Sequence, residues 1–156
     1  MLIRKYEEID CLQLMELFID TVHSINVKDY SEEEIEAWAP TNYIKLNYSR
    51  WKDSLKENYT FVATLNNKIV GFIDLSSTGY LDRLFVHKDY QNQGIASALL
   101  NQVLTLAKTL SLATITTEAS ITARPFFEKY GFKILKKQKV ERNSIYLINY
   151  LMVKKI

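Results

Sequence analysis

The stretch Leu84-Phe85-Val86-His87-Lys88-Asp89-Tyr90-Gln91-Asn92-Gln93-Gly94-Ile95-Ala96-Ser97-Ala98-Leu99-Leu100 changes character at its centre. Leu84, Phe85 and Val86 close an apolar run that begins at Tyr80. From Ile95 onward, Ile95, Leu99, Val103, Leu106 and Leu110 recur at three- and four-residue steps. The run predicts a strand; the steps predict an amphipathic helix over 95–110, which Ala96, Leu100, Leu104 and Ala107 broaden into a largely buried one. Between them lies a polar loop holding Gly94, one of only four glycines in the chain. Small Gly94 and Ala96 let the backbone approach a ligand closely. Unpaired N–H groups at a helix start, together with the positive end of its dipole, favour phosphate oxygens. A pyrophosphate fits that position, and so does an ordinary helix start with glycine near its N-cap.

Working outward, Ala113 to Glu118 reads as a strand and Ile121 to Tyr130 as a helix, with Pro125 in its early part and Gly131 as its left-handed stop. Phe132 to Val140 and Ile145 to Val153 form two late strands joined by turn residues 141–144. Upstream, Thr60 to Leu65 and Lys68 to Leu75 flank Asn66-Asn67, a pair that tolerates positive φ, so they predict a hairpin that Tyr80 to Val86 extends into a meander. Leu2 and Ile3 open a short strand. Asp10 stands at the N-cap of an amphipathic helix over 10–23 marked by Leu12, Met15, Ile19 and Val22. Ser31 and Glu34 make a capping box for a shorter helix that stops before Pro40. Ile44, Tyr48, Trp51 and Leu55 place a third helix after it. Strand, helix and strand over 80–118 imply one parallel pair. The expected fold class is therefore α/β in the α+β sense: a mixed, mostly antiparallel central sheet flanked by helices, in one domain over 1–156.

Composition agrees with a single domain, since 156 residues divided in two would leave neither part a proper core. With 47% apolar and 24% charged residues, wholesale disorder and collagen-like order are excluded. No run approaches the roughly 18–20 apolar residues of a membrane span, and residues 1–10 are too charged for a signal peptide, so the chain reads as cytoplasmic. A lone cysteine, Cys11, excludes an internal disulfide, and with only His23 and His87 beside it no metal centre is expected. Net charge is +2, yet residues 1–60 carry −5, 61–119 carry 0 and 120–156 carry +7. A basic end suits an anionic ligand and an acidic end a cationic one; ordinary surface solvation explains such blocks too. Nucleic acid is not expected of a near-neutral chain without a recognisable binding motif.

The 84–100 stretch resembles the strand, phosphate loop and long helix of the GNAT superfamily of acyl-CoA-dependent N-acetyltransferases, whose loop pattern Gln/Arg-x-x-Gly-x-Gly/Ala is matched by Gln91, Gly94 and Ala96. A second stretch, Ala123-Arg124-Pro125-Phe126-Phe127-Glu128-Lys129-Tyr130-Gly131-Phe132, is similar to the family's later helix with its Glu-Lys-x-Gly-Phe ending. The resemblance implies acetyl-CoA as cosubstrate and an amine as acceptor. It places the pyrophosphate on Gln91, Asn92, Gln93, Gly94, Ile95, Ala96 and Ser97, and the pantetheine arm along Leu84, Phe85 and Val86 where two parallel strands splay. Ser120 stands where many members carry a cofactor-contacting asparagine, and Phe127 where many carry a tyrosine that protonates the leaving thiolate. Both are counted with the cofactor-binding residues.

Acetyl transfer to an alkylammonium of pKa ~10.4 first costs about 4–5 kcal/mol of deprotonation at pH 7, so a carboxylate base is expected. Asp82, on the side of Tyr80 and Leu84 by strand alternation, and Glu118, at the end of the next strand, are the candidates; pairing with Arg83 or another cation is the structural alternative. Tyr130, three residues beyond Phe127, is the candidate acid. His87 reads as an exposed loop histidine, and His23 and Cys11 as structural. Trp38, Tyr43, Tyr48 and Trp51 either line the acceptor pocket or pack the N-terminal helices. The expected function is acetyl transfer to a primary amine by direct attack on the thioester. The alternative is an acyl-CoA-binding regulatory module without efficient turnover, which Phe127 motivates. The acidic N-terminal segment predicts a preference for cationic amines.

Overall fold

A computed structural model describes residues 1–156. In chain order the elements are β1 (Leu2–Lys5), α1 (Cys11–Ser24), α2 (Glu32–Trp38), α3 (Tyr43–Glu57), β2 (Tyr59–Leu65), β3 (Lys68–Leu75), β4 (Tyr80–Val86), α4 (Ile95–Thr109), β5 (Thr114–Ser120), α5 (Arg124–Lys129), β6 (Lys133–Arg142) and β7 (Ile145–Lys155), with short 3-10 turns at Glu8–Asp10, Asn26–Lys28 and Lys88–Tyr90. The seven strands form one sheet in the order β1-β2-β3-β4-β5-β7-β6. Every neighbouring pair is antiparallel except β4 with β5. Its hairpins turn where the asparagines predict: Asn66 and Asn67 take φ of 49° and 65°, and Asn143 and Ser144 take 48° and 68°.

Helices cover both faces. Leu14, Phe18, Trp51 and Leu55 of α1 and α3 pack on Val62 and Phe72, while Ile95, Leu99 and Val103 of α4 and Phe127 of α5 pack on Ile73, Leu81, Ile115 and Met152. Gly71 of β3 makes the second contact close: a Cβ there would stand 3.0 Å from Ile95 Cγ2 and 3.1 Å from Leu99 Cδ1. α4 therefore lies against bare backbone.

Several local expectations are corrected. The helix expected from residue 121 begins at Arg124, because Ser120 Oγ accepts the Ala123 N–H at 3.0 Å and holds 120–123 as a turn. Asp10 precedes α1 but does not cap it. Its carboxylate accepts from Arg4 Nη1 and Nη2 at 2.8 and 2.9 Å and from the Glu7 N–H at 2.8 Å, closing the preceding turn. The Ser31–Glu34 capping box forms as expected. The basic C-terminal charge lies largely on β6, where Lys133, Lys136, Lys137, Lys139 and Arg142 stud the edge strand of the sheet. Lysines there oppose edge-to-edge pairing with another sheet.

Candidate active site

The site is a fork in the sheet. β4 and β5 pair only at Tyr80 with Thr116 and Leu81 with Thr117. At the crotch, Thr117 Oγ1 donates to the Leu81 carbonyl at 2.9 Å, so a side chain takes over where the ladder stops. On the other side of β4 the register steps from Asp74 opposite Arg83 to Leu75 opposite Leu81, leaving Asp82 as the extra residue of a β-bulge. The bulge breaks the alternation expected to put Tyr80, Asp82 and Leu84 on one side: Leu81 and Leu84 both join the core under α4, while Arg83 turns to the opposite face against Trp51. Beyond it, the His87 N–H bonds the Val70 carbonyl, so the alternation of an antiparallel ladder directs the backbone groups of Phe85 to β3 and those of Leu84 and Val86 to the fork. The Val86 carbonyl is already taken, accepting from Thr21 Oγ1 at 2.9 Å and Gln91 Nε2 at 2.8 Å.

A cavity of about 1290 Å³ opens in this fork. The 91–97 loop bounds one end. Asn92 and Gly94 adopt φ of 59° and 79°, and α4 starts directly afterwards with Gly94 at its N-cap. The first intrahelical bond runs from the Ala98 N–H to the Gly94 carbonyl, which leaves the N–H groups of Ile95, Ala96 and Ser97 without helical partners. A Cβ on Gly94 would meet no atom within 4 Å. Free donors, a positive helix end and open space fit a phosphate group. Gln91, Asn92, Gly94, Ile95, Ala96 and Ser97 line the cavity with Leu84, Phe85, Val86, Ser120 and Phe127, whereas Gln93 is exposed outside the lining. Gln91 binds the Val86 and His87 carbonyls at 2.8 and 3.3 Å, which pins the loop to β4.

Asp82 and Glu118 both line the cavity; Tyr130 does not. Asp82 Oδ2 stands 3.5 Å from Arg83 Nη2. That guanidinium is buried and committed elsewhere: it donates to Asp74 at 2.5 Å and Ser54 Oγ at 2.6 Å and lies 4.4 Å from the Trp51 ring centroid. Burial pushes Asp74 up to about 6 although Arg83 opposes the shift. Glu118 accepts from Tyr80 Oη at 2.8 Å and from Gln138 Nε2 at 2.6 Å, so both of its oxygens have donors. Burial, and then the carboxylate of Glu118, push the Tyr80 hydroxyl well above its ordinary range. The Tyr130 hydroxyl donates to Ser97 Oγ and ties the end of α5 to the first turn of α4.

Trp38, Tyr43 and Trp51 line the acceptor side beside Phe18 and Phe85, but Tyr48 is exposed and outside the lining. The acids of the first sixty residues are absent from the cavity wall; the charged side chains they bring to it are Lys28 and Arg50. The acidic mouth expected from segment charge is thus not formed: most of those carboxylates are solvent-exposed away from the wall, Asp10 is buried on Arg4, and Asp29 is bonded to Thr122. His87 is half-buried rather than exposed, and its Nδ1 accepts the Asp89 N–H at 3.1 Å. Burial lowers its pKa. His23 Nε2 lies 2.7 Å from the Ala39 carbonyl and Cys11 is fully buried, and neither lines the cavity.

Sequence reasoning missed the segment that straddles the fork. Thr21 holds the Val86 carbonyl on β4. Asn26 Nδ2 reaches Ser120 Oγ at 3.5 Å, Asp29 accepts from Thr122 Oγ1 at 2.8 Å, and Tyr30 Oη accepts the Ile121 N–H at 2.9 Å while donating to the Ile148 carbonyl at 2.7 Å. The one available signal was Thr21, a hydroxyl on the apolar stripe between Phe18 and Val22.

Residues 26–154 match the family profile described as "Acetyltransferase (GNAT) domain". The chain is 39% identical over 150 residues to an uncharacterized N-acetyltransferase of Escherichia coli K12, YafP, covering 96% of this chain and 93% of that protein. Among solved structures, a GCN5-related N-acetyltransferase from Rhodopseudomonas palustris superposes with a TM-score of 0.93 at 29% identity, covering 99% of this chain and 95% of that one. The PaiA N-acetyltransferase of Thermoplasma acidophilum, solved in complex with coenzyme A, shares the fold with a TM-score of 0.76 at 22% identity, over 99% and 98% of the two chains. With the forked sheet, the glycine loop and the profile in agreement, this chain belongs to the GNAT acetyltransferases and is an N-acetyltransferase with acetyl-CoA as its cosubstrate.

Proposed function

We propose that the protein acetylates a primary amine of a small molecule or peptide by direct attack of the amine on the thioester. The observation that carries this reading is the single cavity whose wall includes the phosphate-type loop, the free edge of β4, Asp82 and an aromatic cluster. Acetyl-CoA supplies an acetyl group activated as a thioester. The N–H groups of Ile95, Ala96 and Ser97 bind its pyrophosphate, and the fork-facing backbone of Leu84 and the Val86 N–H align the pantetheine arm by strand-like pairing. Ser120 and Phe127 bound the arm on the β5 side.

Asp82 is the proposed base. It is the extra residue of the bulge, accessible from the cavity, and its cationic neighbour Arg83 is held mainly by Asp74. Its carboxylate takes the proton whose removal from an alkylammonium costs about 4–5 kcal/mol at pH 7. Glu118, with a donor on each oxygen, serves better to hold Tyr80 and Gln138 in place. Tyr130, the acid candidate from sequence, lies outside the cavity wall with its hydroxyl donated to Ser97 beside the phosphate loop, so the departing thiolate takes its proton from solvent. A thiol of pKa ~8.5 is a tolerable leaving group even before that proton arrives. The test is thiol release from acetyl-CoA across a broad amine panel, with the acetylated product identified by mass spectrometry. CoA binding without release over the whole panel would assign the regulatory-module reading instead.

A further inference from the structure

The acceptor side of the cavity is built to receive an oxyanion. Tyr43 and Arg50 stand seven residues apart on α3, two turns along one face, and both line the cavity. Tyr43 Oη accepts the Trp51 Nε1–H at 2.9 Å and an Arg50 Nη2–H at 3.3 Å. Two donors on one hydroxyl oxygen use both of its lone pairs, so its own proton points to a third partner. Arg50 Nη2 also donates to Asn47 Oδ1 at 2.9 Å, which spends that nitrogen and fixes the guanidinium through neutral acceptors. Its Nη1 and Nε remain uncommitted. The carboxylates that pair with Lys or Arg in this protein take Arg4, Lys52, Arg83 and Arg124, and Arg50 has none.

The contacts also place this donor cluster close to the proposed base. Asp82 meets Arg83, Arg83 lies over the Trp51 ring, and the Trp51 N–H reaches Tyr43. The Arg83 guanidinium, itself held by Asp74, and one indole ring therefore separate a carboxylate suited to an ammonium from a guanidinium and hydroxyl suited to an oxyanion. A substrate with opposite charges at its two ends matches that wall; a polycation does not.

From this arrangement we propose that the amine acceptor carries a carboxylate or phosphate group, bound by the Tyr43 hydroxyl proton and the free Nη1 and Nε edge of Arg50. The inference rests on the acetyltransferase reading of the same cavity and names the substrate class within it.

The experiment measures initial thiol release from acetyl-CoA with matched amines: amino acids against their amides, phosphoethanolamine against ethanolamine, and putrescine as a dication. The anionic member of a pair is expected to show kcat/KM higher by about tenfold or more, expressed mainly in KM, as one charge-assisted contact to a fixed guanidinium provides. Whether the amino-acid or the phosphate arm responds identifies the oxyanion. Arg50→Gln should bring the ratio close to one, and Tyr43→Phe should reduce it, with circular dichroism and CoA affinity as controls for folding. Equal or faster turnover of the neutral or dicationic amines, or a preference that survives Arg50→Gln, overturns the proposal. The same pairs are titrated into CoA-loaded protein and followed by fluorescence of Trp38 and Trp51, the two tryptophans of the chain, both in the cavity wall. If no amine is turned over, the transfer reading fails while the affinity ratio still decides this one; equal or absent binding of the paired amines overturns it.

Discussion

Gly94 separates the conformational demand of the loop from its binding role. Its φ of +79° is left-handed, and the direction of its missing Cβ is open to 4 Å. In Gly94→Ala the methyl group meets no protein atom, so the folding cost is the left-handed penalty alone, about 1–2 kcal/mol. For a domain of this size that lowers the thermal midpoint by about 2–4 °C per kcal/mol. Gly94→Asn carries less of that penalty, because asparagine visits this region more readily, yet it places a larger group in the same open volume. If the pyrophosphate lies there, both side chains push it off the N–H groups of Ile95, Ala96 and Ser97. Hydrogen bonds to charged groups contribute roughly 1.5–3 kcal/mol each, so losing two costs about 3–6 kcal/mol, on the order of 10²- to 10⁴-fold in affinity. Calorimetric titration with CoA and ligand-free thermal unfolding measure the two effects separately. The expected pattern is an asparagine variant that unfolds closer to wild type than the alanine variant and still loses CoA. An asparagine variant that binds CoA within about twofold of wild type would refute the placement of phosphate over Gly94.

Two further outcomes follow from β3 and β4. Asp82→Asn should lower kcat by on the order of 10²-fold or more while CoA affinity holds, because a base acts on the amine; wild-type rates at every pH would remove Asp82 from the reaction. Asp74 in the folded protein titrates at about 6 against a reference of 3.8, so the native state binds its proton more tightly than the unfolded chain does. Its contribution to stability is therefore fully present below the unfolded pKa, is lost as pH rises toward 6 and is flat above, a span of about 3 kcal/mol. Urea unfolding of wild type and Asp74→Asn between pH 4 and 7 should show that slope only in wild type; an equal slope in both would contradict it.

The loop, the long helix and the element order were legible in sequence because each rests on local chemistry. A left-handed glycine, a helix start and an apolar period all involve residues near one another in the chain. The bulge at Asp82 was not legible, since it is a property of the register between β3 and β4 and no residue type on either strand announces it. Strand alternation through Tyr80, Asp82 and Leu84 therefore gave the wrong face relations while still choosing a residue that reaches the cavity. Segment charge failed for a related reason. A sum over sixty residues does not record where each carboxylate sits, and here none of those acids lines the cavity while Arg50 does. Asn26, Tyr30 and their partners on β5 and β7 lie more than ninety residues apart in the chain, beyond the reach of any local pattern.

The sheet is in effect two blades, β1 to β4 and β5 to β7, sewn together by two residue pairs at one end. At the other end they are laced by side chains from a third element: Thr21 takes hold of one blade, Asn26, Asp29 and Tyr30 of the other. The width of the slot is accordingly set off the sheet, by the distance between anchor points on α1 and the turn behind it. Changes in that lacing can reset the width of the slot without altering a residue of either strand or of the phosphate loop. Because Thr21 and Gln91 hold the same Val86 carbonyl, such a change also reaches the seat of the phosphate loop, so slot width and nucleotide recognition are coupled through one backbone oxygen.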